Sequence, residues 1–234
     1  MNDLVFRDRV HAGRLLADAL GKYAGRADVL VLGLPRGGVP VAFEVAKKLC
    51  APLDVIVVRK LGVPGWEELA MGAIASGGVR VINEQVVRRA GISQAAIDEV
   101  AAAQLKELRR REMAYRGHEG APEIEDRTVI VVDDGIATGS TIKAAVLALR
   151  HQGAEHIAIA VPVSSADARD MLEPLVDDFI ALATPEDFRA VGQWYENFDQ
   201  TSDTEVTSLL ADAARPPMPR RQPGTCPSLT EPLH

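Results

Sequence analysis

Short β-branched runs alternate along the chain with segments of helical period. Residues 29–34, 54–58, 128–132, 157–163 and 179–183 are runs of mainly apolar positions, with Asp54 and Thr128 at the starts of two of them. That pattern predicts strands of a parallel sheet covered by helices on both faces. Between the first two runs, Val41, Val45 and Leu49 recur at helical spacing while Glu44, Lys47 and Lys48 fall mostly elsewhere on the wheel. An amphipathic helix there makes the segment a βαβ unit. Residues 71–83 differ. Ala73 and Ile74, then Ser76-Gly77-Gly78, then Val79, Val81 and Ile82 read as two short strands around a glycine turn, a hairpin attached to the main sheet. Residues 93–116 predict a long helix, with Ser93 as N-cap and Ile97, Val100, Leu105 and Leu108 as its apolar stripe. Its Arg109-Arg110-Arg111 run lies beside Glu107 and Glu112, the pattern of a solvated face rather than an anion site. The fold class is α/β: a doubly wound, mostly parallel sheet flanked by helices, with a small hairpin or hood element.

Composition narrows this further. With 234 residues, 47% hydrophobic and 25% charged, the chain suits one globular domain with a tail. Twelve acids against two arginines crowd residues 167–212, so the formal charge of −7 originates there. A net negative chain with sparse Lys and Arg is a poor nucleic-acid binder. Six of the fourteen prolines fall in residues 216–232, which marks 213–234 as a disordered Pro/Arg-containing tail and 1–212 as the domain. No stretch reaches the roughly 18 apolar residues of a membrane helix. Asp3, Arg7, Asp8 and Arg9 interrupt any secretory apolar region, so a cytoplasmic location is expected. Two distant cysteines make neither a disulfide framework nor a zinc cluster; Cys50 reads as a core thiol and Cys226 as a tail thiol.

The chemistry concentrates after the third predicted strand, in Asp133, Asp134, Gly135, Ile136, Ala137, Thr138, Gly139, Ser140 and Thr141. A buried strand would deliver two adjacent carboxylates to its C-terminal edge, where open parallel sheets bind ligands. The chain then turns through Gly135 and Gly139 into a helix. Glycine there permits conformations that expose N–H groups, three hydroxyls add donors, and the helix dipole favours an anion. No lysine follows the second glycine as a nucleoside-triphosphate loop would require. Asp133 and Asp134 can accept hydrogen bonds from vicinal hydroxyls or hold a hydrated Mg²⁺. A phosphate with a diol describes a sugar phosphate. A receiver-type doubly wound domain also gathers acids at strand ends, but its acids would follow an early strand too; here the first strand ends in Pro35-Arg36-Gly37-Gly38.

The segment from Val131 to Thr141 closely resembles the phosphoribosyl pyrophosphate (PRPP) signature of type I phosphoribosyltransferases. The resemblance implies that Asp133 and Asp134 bind the ribose hydroxyls and Mg²⁺, and that Gly135 to Thr141 bind the 5′-phosphate. Leu34-Pro35-Arg36-Gly37-Gly38 resembles the family's pyrophosphate loop, with Arg36 and backbone amides on the leaving group. Arg59 and Lys60, read as the end of the second strand at the same edge, are expected to add positive charge. Residues 64–72, around Trp66, fall where the family carries a mobile catalytic loop. Phe6-Arg7-Asp8-Arg9, residues 68–73 and Trp194-Tyr195-Glu196-Asn197-Phe198 are similar to a bacterial group of predicted phosphoribosyltransferases with undefined acceptor. A homodimer is implied as well.

Transfer from PRPP needs positioning and charge neutralisation more than proton chemistry, so Asp133 and Asp134 are expected to bind substrate while Arg36 and Lys60 stabilise departing pyrophosphate. In the family's 6-oxopurine enzymes an aspartate stands two positions before the loop's final glycine; Ala137 stands there in this chain, which disfavours hypoxanthine or guanine as acceptor. Trp194, Tyr195 and Phe198 either stack on a flat base or form one helical face in the core. A PRPP-sensing regulator without turnover is the competing function, and a protein-binding scaffold a more distant one.

Overall fold

The structure, a computed structural model, describes residues 4–117 and 122–215. Its centre is a parallel five-stranded sheet in the order β2-β1-β6-β7-β8. The strands are β1 (Val29–Gly33), β2 (Leu53–Val55), β6 (Thr128–Val132), β7 (His156–Val163) and β8 (Asp178–Ala183). β1 and β6 are buried at every position, in register from Val29 opposite Thr128 to Gly33 opposite Val132. Their side chains divide between two cores. Leu30, Leu32, Val129, Val131, Ile157 and Ile159 meet Ile142, Ala145, Val146 and Leu149 of α5 (Ser140–His151). Val29, Val31, Ile130 and Val132 meet Leu16 and Ala17 of α1 (Arg9–Ala19) and Val41, Val45 and Leu49 of α2 (Gly38–Leu49). This two-sided burial is why these runs lack alternating polar positions. Helix α6 (Ala166–Leu172) joins the first core.

A second, antiparallel sheet, β3 (Val58–Val63), β4 (Trp66–Ala75) and β5 (Val79–Ile82), packs with α3 (Glu84–Ala90), α4 (Gln94–Arg116) and α7 (Asp203–Ala213) around a third core. Ser93 caps α4 as expected, accepting from the Ala96 N–H, and Ile97 and Leu108 are buried.

Three expectations change here. The run 54–58 is two elements: Ile56 N–H still donates to Gly33 of β1, but Val57 N–H donates to Ser76 Oγ and Val58 opens β3. The run stays apolar because its residues alternate between two cores on both sides of the break, Val55 and Val57 in one and Ile56 and Val58 against the other, so nothing polar marks it. The hairpin at 71–83 exists as β4–β5, with a positive φ at Gly77, but it belongs to the second sheet and is not attached to the main one. Cys50 is exposed, not a core thiol; it terminates α2 with φ +55. The tail from residue 216 and Cys226 lie outside the described residues. Among the described residues no helix is long and apolar enough to cross a membrane.

Candidate active site

The direction of chain progression across the main sheet reverses between β1 and β6, and a crevice opens at the C-terminal ends of those two strands. Both sides of it are helix N-termini. Among the described residues, five of the seven α-helices have a side-chain cap: Asp8, Asn83, Ser93, Ser165 and Ser202 accept from first-turn amides. The two that do not, α2 and α5, have glycine N-caps, Gly37 and Gly139. Both begin at this crevice with the positive ends of their dipoles directed toward it, but their amides differ: the first turn of α5 is uncapped, whereas in α2 Gly38 and Val39 donate to the Leu34 and Arg36 carbonyls at 3.0 and 3.2 Å and Pro40 has no N–H.

Asp133 and Asp134 follow β6 between them. The Asp134 N–H donates to Asp133 Oδ1 at 2.9 Å. The loop Pro35-Arg36-Gly37-Gly38 presses against this pair, and the Pro35–Arg36 peptide is cis. A Cβ on Gly37 would lie 2.0 Å from Asp134 Oδ2, and one on Gly38 would lie 2.7 Å from the Val132 carbonyl and 3.0 Å from Asp133 Oδ1. Neither glycine has a positive φ, so close approach, not backbone freedom, excludes a side chain here.

Burial, and then the neighbouring Asp134 carboxylate, push the Asp133 carboxyl well above the usual carboxylate range. Burial raises Asp134 too, partly offset by Arg9. Arg9 is the residue that motif reasoning did not assign to the site. Its Nε and one terminal nitrogen each lie 2.8 Å from Asp134 Oδ2, its other terminal nitrogen donates to the Asp199 carbonyl at 2.6 Å, and its guanidinium sits 4.0 Å from the Phe198 ring centroid. Arg9 occupies the first turn of α1, where the helix dipole disfavours a cation; that misfit is the signal that it has a partner elsewhere. Tyr195 was also unassigned to this pair: its hydroxyl, pushed well up by burial, donates to the Asp134 carbonyl at 2.6 Å.

The segment 194–198 is not a helical face. A 3₁₀ turn, Val191–Trp194, leads into extended chain that pairs with Phe6, whose N–H donates to Trp194 and whose carbonyl accepts from Glu196, each at 2.8 Å. Trp194 and Tyr195 are buried with Phe6, while Phe198 remains accessible beside Arg9. The two distant motifs thus form one flap over the Asp134 side of the crevice.

The remaining loop residues separate by role. Gly139 has φ +69 and its missing Cβ would strike Met171; Thr138, Ser140 and Thr141 cluster at the start of α5. Gly135 has no positive φ and is required instead by packing, since a Cβ would lie 2.5 Å from Val191. Ile136 is a core residue whose N–H donates to Val163, so it offers a ligand neither side chain nor amide; Ala137 is held by Ser165 Oγ on its carbonyl at 2.6 Å.

The three expected cations diverge. Arg59 and Lys60 are neighbours on β3 and so point to opposite faces. Arg59 Nε donates to Gln104 of α4 at 3.0 Å, away from the crevice. Lys60 instead borders a cavity of about 680 Å³ with Ser140 and Lys143 of α5. Arg36 turns outward, its guanidinium 3.9 Å from Asp203 of α7. The expected catalytic loop at 64–72 is the tip of β3–β4 and most of β4, with Gly65 at φ +78 and Trp66 65% exposed.

Two carboxylates are the right donors for a hard cation that keeps most of its shell from water and substrate oxygens. Among the described residues no three His, Cys, Asp or Glu side chains gather at a metal-sized site. Any Mg²⁺ at Asp133 and Asp134 would therefore depend on ligand oxygens.

Comparison with known proteins agrees with this geometry. Over 211 residues the chain is 52% identical to two Mycobacterium tuberculosis proteins, from strains CDC 1551 and H37Rv, each provisionally named a phosphoribosyl transferase. The match covers 90% of this chain and 47% of those proteins, so the chain spans about half the length of these curated relatives. It is 41% identical to TT1426 of Thermus thermophilus, whose crystal structure superposes with a TM-score of 0.81 over 90% of this chain and all of that one. The phosphoribosyl transferase domain model matches residues 9–193, from Arg9 into the 3₁₀ turn of the flap, and the chain belongs to that family.

Proposed function

We propose that this chain is a Mg²⁺-dependent transferase that moves the 5-phosphoribosyl group of PRPP to a nitrogen acceptor, a nucleobase-like compound other than a 6-oxopurine. The observation that carries the reading is the pair of glycine-capped helix N-termini flanking two adjacent buried carboxylates at the sheet's switch point. PRPP has a phosphate at each end and a diol between; the α5 start suits the 5′-phosphate, Asp133 and Asp134 the diol, and the α2 start with Gly37 and Gly38 the pyrophosphate. The C1–O bond breaks with its electron pair leaving on pyrophosphate, the acceptor nitrogen forms the C1–N bond, and the nitrogen's proton passes to solvent. Mg²⁺, when bound, neutralises charge on the pyrophosphate and ribose oxygens. Asp133 and Asp134 orient the sugar, the uncapped α5 amides hold the 5′-phosphate, the α2 dipole and the Gly37 amide hold the pyrophosphate, and Lys60 adds charge at the α5 side. Phe198 offers an accessible ring for a flat acceptor, and the Trp66 hairpin is the element that would close over the site and exclude water. The same reading carries a homodimer in the cytoplasm that acts on small molecules, without nucleic-acid or membrane partners.

Titration calorimetry should show PRPP binding that requires Mg²⁺ and is weakened at least about tenfold by Asp134→Asn. Pyrophosphate release is then assayed across a panel of nitrogen bases. PRPP binding with no release above background for any base would favour a sensor over a transferase; no PRPP binding would remove both.

A further inference from the structure

A cleft of about 210 Å³ adjoins the outer side of the Pro35–Gly38 loop, lined by Pro35, Arg36, Arg110, Arg111, Tyr115 and Asp203, with Ala114 beside them. Three guanidinium side chains from two separate elements, the loop and α4, border this small space. Among the described residues the only carboxylate on its wall is Asp203, the first helical residue of α7. It lies 3.9 Å from the Arg36 guanidinium and accepts a hydrogen bond of 3.0 Å from the hydroxyl of Tyr115, a side chain that is itself 4% exposed. Glu107, behind the arginines, holds both Arg110 and Arg111 on one carboxylate, at 2.7 and 3.0 Å. These pairs draw the Glu107 carboxyl down to about 2, so it stays ionised and keeps the two guanidinium groups side by side. Two carboxylates therefore stand against three cations, Glu107 pairing Arg110 and Arg111, and Asp203 lying 3.9 Å from Arg36 and accepting from the buried Tyr115 hydroxyl.

The cleft and the crevice share one loop. Arg36 borders the cleft, and Gly37, the next residue along the chain, lies against Asp134. A ligand with two linked phosphates can therefore place one at the Gly37 amide and the α2 N-terminus, and the other among the arginines.

We propose that Arg110 and Arg111 of α4, with Arg36 and the Tyr115 hydroxyl, bind the distal phosphate of a pyrophosphate-bearing ligand, and that Asp203 holds that position until the ligand displaces it. This rests on the PRPP reading and assigns α4 and α7 to the leaving-group end of the site. An arginine run that composition alone assigns to solvent thereby acquires a ligand.

The experiment measures binding of PRPP, inorganic pyrophosphate and ribose 5-phosphate to the full chain by calorimetry. Ribose 5-phosphate lacks the pyrophosphate and reports the remainder of the site. The Arg110→Ala/Arg111→Ala variant should weaken PRPP and pyrophosphate at least about tenfold, the loss of one charge-assisted hydrogen bond or more, and leave ribose 5-phosphate within about twofold. Asp203→Asn should shift PRPP and pyrophosphate in the opposite direction, toward tighter binding, because a competing carboxylate is gone. Equal PRPP affinity in the arginine variant and wild type overturns the assignment. So does a parallel loss of ribose 5-phosphate, which would mark a general effect on fold or field. Unchanged or weaker binding in Asp203→Asn overturns the placeholder role of Asp203. Wild-type protein that binds neither PRPP nor ribose 5-phosphate refutes the parent reading and this one with it.

Discussion

Replacing Arg9 with methionine tests whether one cation keeps the buried acid pair charged. The side chain is 12% exposed and its partner Asp134 14%, so this pair lies near the buried limit. Arg9→Met removes two contacts of 2.8 Å to Asp134 Oδ2, one of 2.6 Å to the Asp199 carbonyl, and the stacking on Phe198. Removing one partner of a buried pair costs about 3–5 kcal/mol because the other charge is stranded. The residual exposure and the option of protonating Asp134 bring the expected loss to about 3 kcal/mol at pH 8. For a domain of this size that lowers the melting temperature by roughly 6–12 °C. The sign with pH follows from the direction of the shift. Asp134 titrates higher folded than unfolded, so the folded state holds its proton more tightly and stability falls as pH rises through the window above 3.8. Without Arg9 the folded value rises further and that fall becomes steeper. The difference between variant and wild type should therefore shrink toward pH 4, where a neutral Asp134 no longer needs the cation, and grow toward pH 8. Urea unfolding at several pH values measures it, and Arg9→Met/Asp134→Asn should recover most of the loss. A difference below about 1 kcal/mol at pH 8, or one that does not change with pH, refutes the argument.

Four other outcomes are expected. Asp133→Asn should abolish Mg²⁺-dependent PRPP binding yet raise stability at pH 7–8 by about 1–2 kcal/mol, since it removes a carboxyl that burial penalises when charged, with no gain below pH 3.8 where the native group is already neutral; unfolding curves at the two extremes check this. Gly37→Ala has no backbone strain to overcome at φ −62, so its cost of about 1–3 kcal/mol should come from pushing Asp134 aside and should appear with a loss of PRPP affinity. Lys60→Ala should weaken PRPP about tenfold while Arg59→Ala stays within about twofold, because strand parity sends the two side chains to opposite faces. PRPP should change tryptophan fluorescence through exposed Trp66 and not through buried Trp194, a response that Trp66→Phe abolishes and Trp194→Phe preserves.

What is legible in the chain follows from what burial does to it. Strands covered on both faces read as unbroken apolar runs, and so β1, β6 and β7 lie where the pattern puts them. The same rule conceals the boundary after Val55, because residues 55–58 go on alternating between the same two cores across it and show no polar interruption. Backbone placement was readable and side-chain direction was not. The run 58–60 does stand where a strand is expected, but sheet membership decides which of Arg59 and Lys60 faces α5, and that depends on pairing with residues 66–75. Arg36 sits in the expected loop and extends away from the crevice, toward an acid of α7 far along the chain.

The glycines make the same division from the opposite side. Motif reasoning attributes Gly135 and Gly139 alike to unusual backbone conformation, but only Gly139 has a positive φ. Gly135, Gly37 and Gly38 are instead excluded from bearing side chains by neighbours distant in sequence: Val191 for the first, Asp134 and Asp133 for the others. Such contacts have no local signature. What is local is the N-cap. Asp8, Asn83, Ser93, Ser165 and Ser202 satisfy their own helices, while Gly37 and Gly139 bring no side chain to theirs. A glycine N-cap costs only a few tenths of a kcal/mol and leaves the positive end of the helix without a side chain over it; at α5 it also leaves the first-turn donors free, whereas at α2 Gly38 and Val39 donate to the Leu34 and Arg36 carbonyls. Two such starts opening on one crevice, with acids between them, suit a ligand with two anionic ends and a neutral middle. The identity of N-cap residues, read helix by helix, is therefore the strongest indication of this site that the sequence holds apart from any family resemblance.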